Sequence, residues 1–533
     1  MLRNITQPDA GAAPIEADLC IVGAGAAGIA IARTFVGTPT RVVLVESGGL
    51  EVDHLARSLN QGDNIGLPYY DLAQARERRF GGTTMTWSGR CIPLDPIDFR
   101  HRPWVPHSGW PFGAETLAPY YRRAQDVLGV GEYRYDDSLW HDIGIEPDRF
   151  DPATFAVRFW RIRARRFGEA FRRELGRAHN VLVYLNGTVT GLAASHDANS
   201  IRHATVRTLA GGTATIRARR FVLATGGIEN ARLLLASDEV EPAGIGNGHD
   251  LVGRFFMEHP KCRVGRIATP DPYGLLERWR KQFPPRMPKL WPALLPTEAV
   301  QERHGILNSS LAFYYRSAIG MNPGEAWARL AERRRRGLGR TVVRAASEIP
   351  ANLVRRYVRR RSIVFAPEAL YLLVRGEQAP NPDSRVRLSR SRDALGQRRA
   401  DLDWQLSEID KRTARVLTAL AAGEFARLGL GQVTPDPWLA DGSPAAWPLP
   451  AAQGGETDHH AHLQGGNHHI GTTRMAATPS RGVTDADGRV FGKTNLYVAG
   501  SSLFPTAGWA NPTLTIVALA LRLADHLKAQ PDG

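Results

Sequence analysis

Short apolar runs that stop at glycine and give way to a helical pattern recur along this chain. In ADLCIVGAGAAGIAIARTF, residues 17–35, a strand pattern ends at Gly23 and an apolar-periodic helix begins two or three residues later. The valine-rich run TRVVLVESGG, 40–49, predicts a second strand that closes on Glu46, and RRFVLATGGIENARLLLAS, 219–237, repeats the strand, glycine turn and helix. The C-terminal TNLYVAGSSLFPTAGWANPTLTIVALALRLADHL, 494–527, predicts a strand, a loop and a long, largely buried helix. Strands alternating with helices argue for an α/β fold, a parallel sheet with helices packed on it.

The pieces lie near both ends and in the middle. We therefore expect one Rossmann-like domain of discontinuous segments, 1–110, 180–262 and 482–533, and a second, α+β domain of sheet and helices from 111–179 and 263–481. A proline- and arginine-rich stretch within the second domain predicts a helical insertion at about 325–362. A length of 533 residues with 43% apolar content suits two intimate domains, each with a sizeable core.

Composition changes the picture in three places. The N-terminus MLRNITQPDAGAAPIEADLC lacks the charged-then-apolar layout of a signal peptide, and no run of about 18 uninterrupted apolar residues occurs. The three cysteines, Cys20, Cys91 and Cys262, are scattered and odd in number, so no disulfide framework is implied and a cytoplasmic protein is expected. The net charge of +15 is local: 12 arginines from Arg329 to Arg361 face only Glu332 and Glu348, a net of +10 that leaves +5 for the rest. That segment reads first as a solvated helical face, and second as a contact with an anionic membrane surface or membrane electron acceptor. No nucleic-acid recognition motif accompanies the arginines, and no nucleic-acid partner is expected.

Gly23, Gly25 and Gly28 form G-x-G-x-x-G directly after a strand and at a helix start. The first glycine permits the sharp turn, the second lets backbone approach a pyrophosphate, and the third lets helix and strand pack closely. Ala26 and Ala27 open the helix whose free N–H groups favour phosphate, and Glu46, 18 residues beyond Gly28, can bind ribose hydroxyls. A dinucleotide is expected. Two further pieces favour FAD over NAD: RRFGGTTMTWSGR, 78–90, can line an isoalloxazine ring, and FVLATGG, 221–227, returns the chain toward the same nucleotide.

Near the C-terminus, DHHAHLQGGNHHIGTTRM carries five histidines up to His469, and adjacent His468 and His469 precede Gly471 and Thr472. Five histidines beside Asp458 could hold a metal, but no cysteine accompanies them, and no metal site is expected. Taken together, the segments CIVGAGAAGIA, GGTTMTWSG, VLATGGIENARLLL, GRFFMEHP, HHIGTTRM and GWANPTLT resemble the glucose–methanol–choline (GMC) oxidoreductases, FAD-dependent enzymes. The resemblance spans nearly the whole chain, and its motifs lie nearest to pyranose oxidases and related sugar oxidoreductases. It implies that His468, through the H-x-x-G-T spacing, is the catalytic histidine and that Asn511, 43 residues on, is its polar partner.

The same resemblance implies cofactor contacts from Gly81, Gly82, Thr83, Thr84, Val189, Ala224, Gly226, Gly500, Ser501, Pro512 and Thr513. Trp87, His469 and Trp509 are candidates for walling a substrate. Where pyranose oxidases place a flavin-linking histidine, this chain has Thr86, so FAD is expected to be noncovalent.

A neutral imidazole suits removal of a hydroxyl proton, and an amide N–H suits the oxygen left behind. The expected reaction is oxidation of a CH–OH group on a sugar, cyclitol or glycosylated small molecule, with oxygen or another acceptor taking the electrons. A dehydrogenase for an aminoglycoside-like natural product is the alternative within the class. A membrane- or polyanion-binding protein with a silent flavin domain is the alternative outside it.

Overall fold

The computed structural model describes residues 1–5, 13–317, 347–441, 443, 446–449 and 460–530. Eight strands form the first sheet: β1 (Leu2–Asn4), β2 (Ile15–Val22), β3 (Val42–Val45), β6 (Val181–Leu185), β7 (Thr188–Ala194), β8 (Ile201–Arg207), β9 (Thr213–Leu223) and β17 (Leu496–Val498). Their order is β1-β6-β3-β2-β9-β8-β7, with β17 added beside β9. The β1-β6-β3-β2-β9 part is parallel, as is the β9–β17 pair, and β9-β8-β7 is an antiparallel meander.

Register decides where the glycine turns go. Val22 stands opposite both Val45 and Leu223, and Leu223 stands opposite Val498. The chain therefore leaves all these strands at one level, and Gly23, Glu46, Ala224 and Gly500 converge at the carboxyl edge of the sheet. Ligands of open α/β sheets bind along that edge. The helix Ala26–Thr34 buries Ala27, Ile29, Ala30, Ile31 and Ala32, a continuous small-apolar surface that lets it lie close to the sheet.

The second sheet contains β4 (Arg90–Cys91), β5 (Phe155–Ile162), β10 (Lys261–Ala268), β11 (Lys289–Pro296), β12 (Ser310–Ser317), β13 (Pro367–Arg375) and β16 (Gln432–Pro435), in the order β16-β10-β13-β12-β11-β5-β4. All its pairings are antiparallel. A separate hairpin joins β14 (Arg385–Arg392) to β15 (Arg398–Asp403).

Residues 111–179 are shared between the two layers. β5 enters the second sheet, whereas the helix Ala114–Leu128 packs on the final helix Thr513–Ala529, and Phe167–Arg177 packs on Ala26–Thr34. The reason is visible in the first of these helices, where Leu117, Tyr121, Ala124 and Leu128 recur at helical spacing and are buried. Tyr121 also shares a 2.9 Å hydrogen bond with Thr515 of the final helix. Most of the arginine-rich segment, 318–346, lies outside the described residues. Its remainder begins as a helix at Ile349–Leu353 and continues as a wider turn over Val354–Val358. Among the described residues, no helix is long and apolar enough to cross a membrane.

Candidate functional site

The converging turns open onto a cavity of about 610 Å³. Its walls include Gly23, Gly25, Ala26, Ala27 and Glu46 from the first turn, and Gly82, Thr83 and Thr84 from the loop 78–90. Val189, Ala224, Gly226, Gly500, Ser501, Pro512 and Thr513 complete this floor, and His468, His469, Asn511 and Trp87 line the same space.

The glycines divide by what a side chain would meet. A Cβ on Gly28 would lie 1.9 Å from the Gly23 carbonyl oxygen, so that glycine serves helix-to-turn packing and does not reach the cavity. A Cβ on Gly25 would meet nothing within 4 Å. Its backbone is bare to the cavity at the helix N-terminus, where a pyrophosphate fits. Gly81 also stands back from the cavity: its φ is +100°, its N–H donates to Ala24 O at 2.8 Å, and it seats the 78–90 loop on the first turn.

Glu46 is fixed by the N–H groups of Ala24 at 2.8 Å and Gly48 at 3.0 Å. Burial pushes its carboxyl up, against those bonds and the charge of Arg78, to about 7. His469 Nε2 is buried without a protein hydrogen-bond partner, an orphan that the polar edge of a bound ring would satisfy. These features fit a dinucleotide carrying a flavin.

The stretch GGNHHIGT is locked in place from two sides. Ile470 pairs with Met257 through both backbone bonds, at 3.0 and 3.1 Å, and Gly471 N–H donates to Ser501 O at 3.1 Å. Gly471 has φ +87°, and a Cβ there would strike Phe255 O at 2.2 Å. The carboxylate of Glu258 then gathers the loop, accepting from the N–H groups of Gly466 and His468, each at 2.7 Å, and from its neighbour His259 at 2.8 Å. Tyr69 Oη–H donates to the same carboxylate. Burial raises the Glu258 carboxyl to about 7 despite these donors.

His468 and Asn511 are brought together, with Asn511 Nδ2 3.1 Å from His468 Nε2. The final helix has no side-chain cap, so the Asn511 amide faces the histidine instead. On the far side of the ring, His468 Nδ1 lies 2.8 Å from Nδ1 of His259, whose Nε2 lies 2.8 Å from Gly508 O. A carbonyl only accepts, so His259 Nε2 carries a proton. Burial lowers the His259 pKa to about 4, so the ring is neutral and its Nδ1 must accept. His468 Nδ1 therefore donates, and its lone pair sits on Nε2, toward Asn511 and the cavity. Burial, followed by the neighbouring His259, His469, Arg375 and Arg90, keeps the His468 pKa well below the ordinary imidazole value. The result is a neutral base with a defined tautomer.

Trp87 lines the cavity and donates its indole N–H to Arg165 O at 3.1 Å. Trp509 does not reach the cavity. It is buried edge-on to Trp160 at 5.0 Å and donates to Asp95 at 2.8 Å, which makes it a support behind the Asn511 turn. The metal-type grouping Glu258, His259 and His468 has ligand atoms within 4.8 Å of one another, but the hydrogen bonds above already engage them.

Sequence reasoning gave no role to His259, Glu258, Tyr69, Arg90 or Arg375. The landmark GRFFMEHP held the first two, but nothing in its spacing pointed at His468, which is 209 residues away.

A nucleotide floor at the carboxyl edge of a parallel sheet, with His468 and Asn511 on the same cavity, suits an FAD-dependent oxidoreductase. Residues 18–243 match the FAD dependent oxidoreductase family and residues 380–520 match GMC oxidoreductase.

Paromamine 6'-oxidase of Streptomyces fradiae is 24% identical over 95% of this chain and 90% of its own length. 6'''-Hydroxyparomomycin C oxidase of Streptomyces lividus is 25% identical over 96% of this chain and 92% of its own. Among solved structures, a fungal aryl-alcohol oxidase superposes with a TM-score of 0.57 at 14% identity, covering 96% of this chain and 99% of its own. Formate oxidase superposes at 0.55 and 16% identity, covering 97% and 98%. Both share the fold.

Proposed function

We propose that the enzyme oxidises a CH–OH group of a sugar, cyclitol or glycosylated small molecule, with His468 as general base. The observation that carries this reading is the chain Gly508 O, His259, His468, Asn511, which leaves the His468 lone pair on Nε2 at the cavity, 3.1 Å from the Asn511 amide. A hydroxyl that displaces the Asn511 N–H from His468 Nε2 gives its proton to that nitrogen. Asn511 Nδ2 donates to the oxygen as negative charge develops there. FAD, held by the residues of the cavity floor, would supply the acceptor for the carbon's hydride, and the alcohol would leave as a carbonyl having lost two electrons and two hydrogens. Noncovalent attachment is part of the proposal, because the cavity residue at the linking place is Thr86.

A second reading, oxidation of an aminoglycoside-like natural product, is favoured by the two Streptomyces relatives, both named for that chemistry. Anaerobic mixing with sugars, cyclitols and aminoglycosides tests both, with loss of the visible flavin absorbance as the signal. Bleaching by none of them would remove the sugar-alcohol reading. Admission of air then separates oxygen, by fast recolouring, from another electron acceptor. We place the enzyme in the cytoplasm, in keeping with three cysteines that are free and buried.

Membrane contact is proposed on a narrower observation. Leu353, Val354, Tyr357 and Val358 are exposed beside Arg355, Arg356 and Arg359. Sedimentation with anionic but not neutral vesicles is the expected result, and equal binding to both would end the idea.

A further inference from the structure

Behind the cavity wall at Arg90, the second sheet concentrates cations with no anion paired to them among the described residues. Arg90, on β4, lines the cavity with His468 and Asn511. Its guanidinium lies 4.7 Å from the Trp291 ring centroid, where Arg375 approaches to 5.5 Å and Lys281 to 5.1 Å. Arg375 also stands 5.6 Å from Trp160 and donates to Tyr314 Oη at 2.7 Å. Arg280 is 5.8 Å from the Tyr314 ring, and Lys261 is the register partner of Arg375 across β10 and β13. Strands β4, β5, β10, β11, β12 and β13, with the residues just after the helix Pro272–Trp279, thus bring five cations around three aromatic rings.

Among the described residues, none of the five has an ion pair with a carboxylate. Glu258 bears on Lys261, but only as the weakest of its influences, and its oxygens are occupied by Tyr69 and three backbone N–H groups. The Nε atoms of Arg90, Arg280 and Arg375 are buried without hydrogen-bond partners. Like charges gathered in a half-buried chamber repel one another, and a fold keeps such a gathering where a ligand brings the opposite charge.

We infer that the substrate carries an anionic group, a carboxylate or a phosphate or sulfate ester, held at Arg90 in the positive field of Arg375 and Lys281 behind it, while its hydroxyl meets His468. The inference rests on the sugar-alcohol reading and narrows it to acidic sugars. Arginine forks suit the planar pairing that such groups offer, and the Trp291 face supplies the apolar wall of a sugar ring. A polycationic aminoglycoside would meet repulsion here, which sets this chamber against the activity named for the Streptomyces relatives.

The test compares glucuronate, glucose and glucosamine, three sugars of one shape and three charges, by anaerobic flavin reduction. Glucuronate should exceed both others in kcat/KM by about ten-fold or more, and the advantage should shrink with added salt. Glucose 6-phosphate in the same assay separates a phosphate ester from a carboxylate as the preferred group. In Arg90→Gln/Arg375→Gln, and separately in Lys281→Gln should the double variant fail to bind FAD, the glucuronate advantage should fall by about ten-fold. Equal rates for the three sugars, or a preference for glucosamine, would overturn the inference and leave the sugar reading standing. Reduction by no sugar would instead remove the sugar reading, and a flavin-absorbance titration with glucuronate and with sulfate then decides the anion site: saturable binding that is lost in the variants supports it, and no binding ends it.

Discussion

Arginines gather twice around the cavity, and the two gatherings obey opposite rules. Below, Arg76, Arg78 and Arg232 surround Glu229 at 3.2, 2.7 and 3.3 Å, and Arg232 reaches Asp393 at 2.7 Å. Burial alone would raise the Glu229 carboxyl, but the charges of Arg78, Arg232 and Arg76 overcome it and hold it at about 2. Above, Arg90, Arg280 and Arg375 have no such partner among the described residues, and burial followed by the charge of Arg375 lowers Arg90 to about 10. A cluster that supplies its own counter-charge is architecture, tying the 76–78 loop to the helix Gly227–Ala236 and to the β14–β15 hairpin. A cluster that lacks one waits for a ligand. The same residue type therefore carries different information according to what faces it.

Between the clusters sits the base, and its removal should have the largest effect. His468→Ala is expected to slow flavin reduction by ~10²–10⁴-fold, the scale for losing a general base, while the bound-flavin spectrum and Tm stay near the parent's. His469→Ala should cost far less in stopped-flow reduction. A reversed ranking would move the base to His469.

Breaking the lower cluster comes next. Glu229→Gln leaves three buried guanidinium groups facing a neutral amide, and should cost about 3–5 kcal/mol in denaturant unfolding. Arg90→Gln, which relieves repulsion, should change stability by less than about 1 kcal/mol. If both cost the same, the distinction between the clusters fails. The acid limb follows from the sign of the Glu229 shift. A depressed carboxyl contributes stability that is full above its ordinary value of 4.5 and is lost as pH falls toward about 2. Glu229→Gln should flatten that part of the stability-versus-pH curve.

The lower half of the site was legible in the sequence because its signals are local. Each glycine turn follows its own strand, so the pattern places Gly23, Glu46, Ala224 and Gly500 at the sheet edge once a parallel register is assumed. His468 and Asn511 were legible through motifs, each beside its own glycine or proline. The roof was not. Arg90, Lys261, the adjacent Arg280 and Lys281, and Arg375 lie in four separate stretches, and only the antiparallel register of the second sheet brings them together. The net charge pointed elsewhere, to 329–361, since a count along the chain cannot see a cluster that forms across it. Trp509 misled for a related reason: adjacency to Asn511 suggested a cavity wall, but the turn sends its indole backward to Asp95.

His259 extends the comparison to residues that act through another group. His259→Leu removes the acceptor that keeps the proton on His468 Nδ1, so the base samples the wrong tautomer. Flavin reduction should fall by about 10–100-fold, the range for partners that orient a working ligand. His259→Gln keeps one acceptor and one donor on its amide and should recover most of the rate. Recovery in Gln but not in Leu identifies a positioning role, because a space-filling role would favour Leu equally.

The smallest effect probes the roof without removing a cation. Burial pushes the Tyr314 hydroxyl up, but the charges of Arg375 and Arg90, the hydrogen bond from Arg375 and the charge of Arg280 bring it from 10.0 down to about 8. Lys261, Lys281 and the His460 ring, 4.7 Å away, complete its surroundings. Below pH 8 the phenol is neutral and the roof keeps its full positive potential. Above it a tyrosinate neutralises part of that potential, and KM for an acidic sugar should climb a few-fold over about one pH unit. The same depression means that the tyrosinate adds stability only as pH rises from about 8 toward the unfolded value of 10.0. Lys261 and Lys281, whose pKa values burial also lowers, lose charge in the same direction, so the wild-type limb alone does not assign the group. Tyr314→Phe does: it should remove the tyrosine's share of the rise around pH 8 and leave only what the lysines contribute, whereas an unchanged profile would take Tyr314 out of the charge balance of the roof.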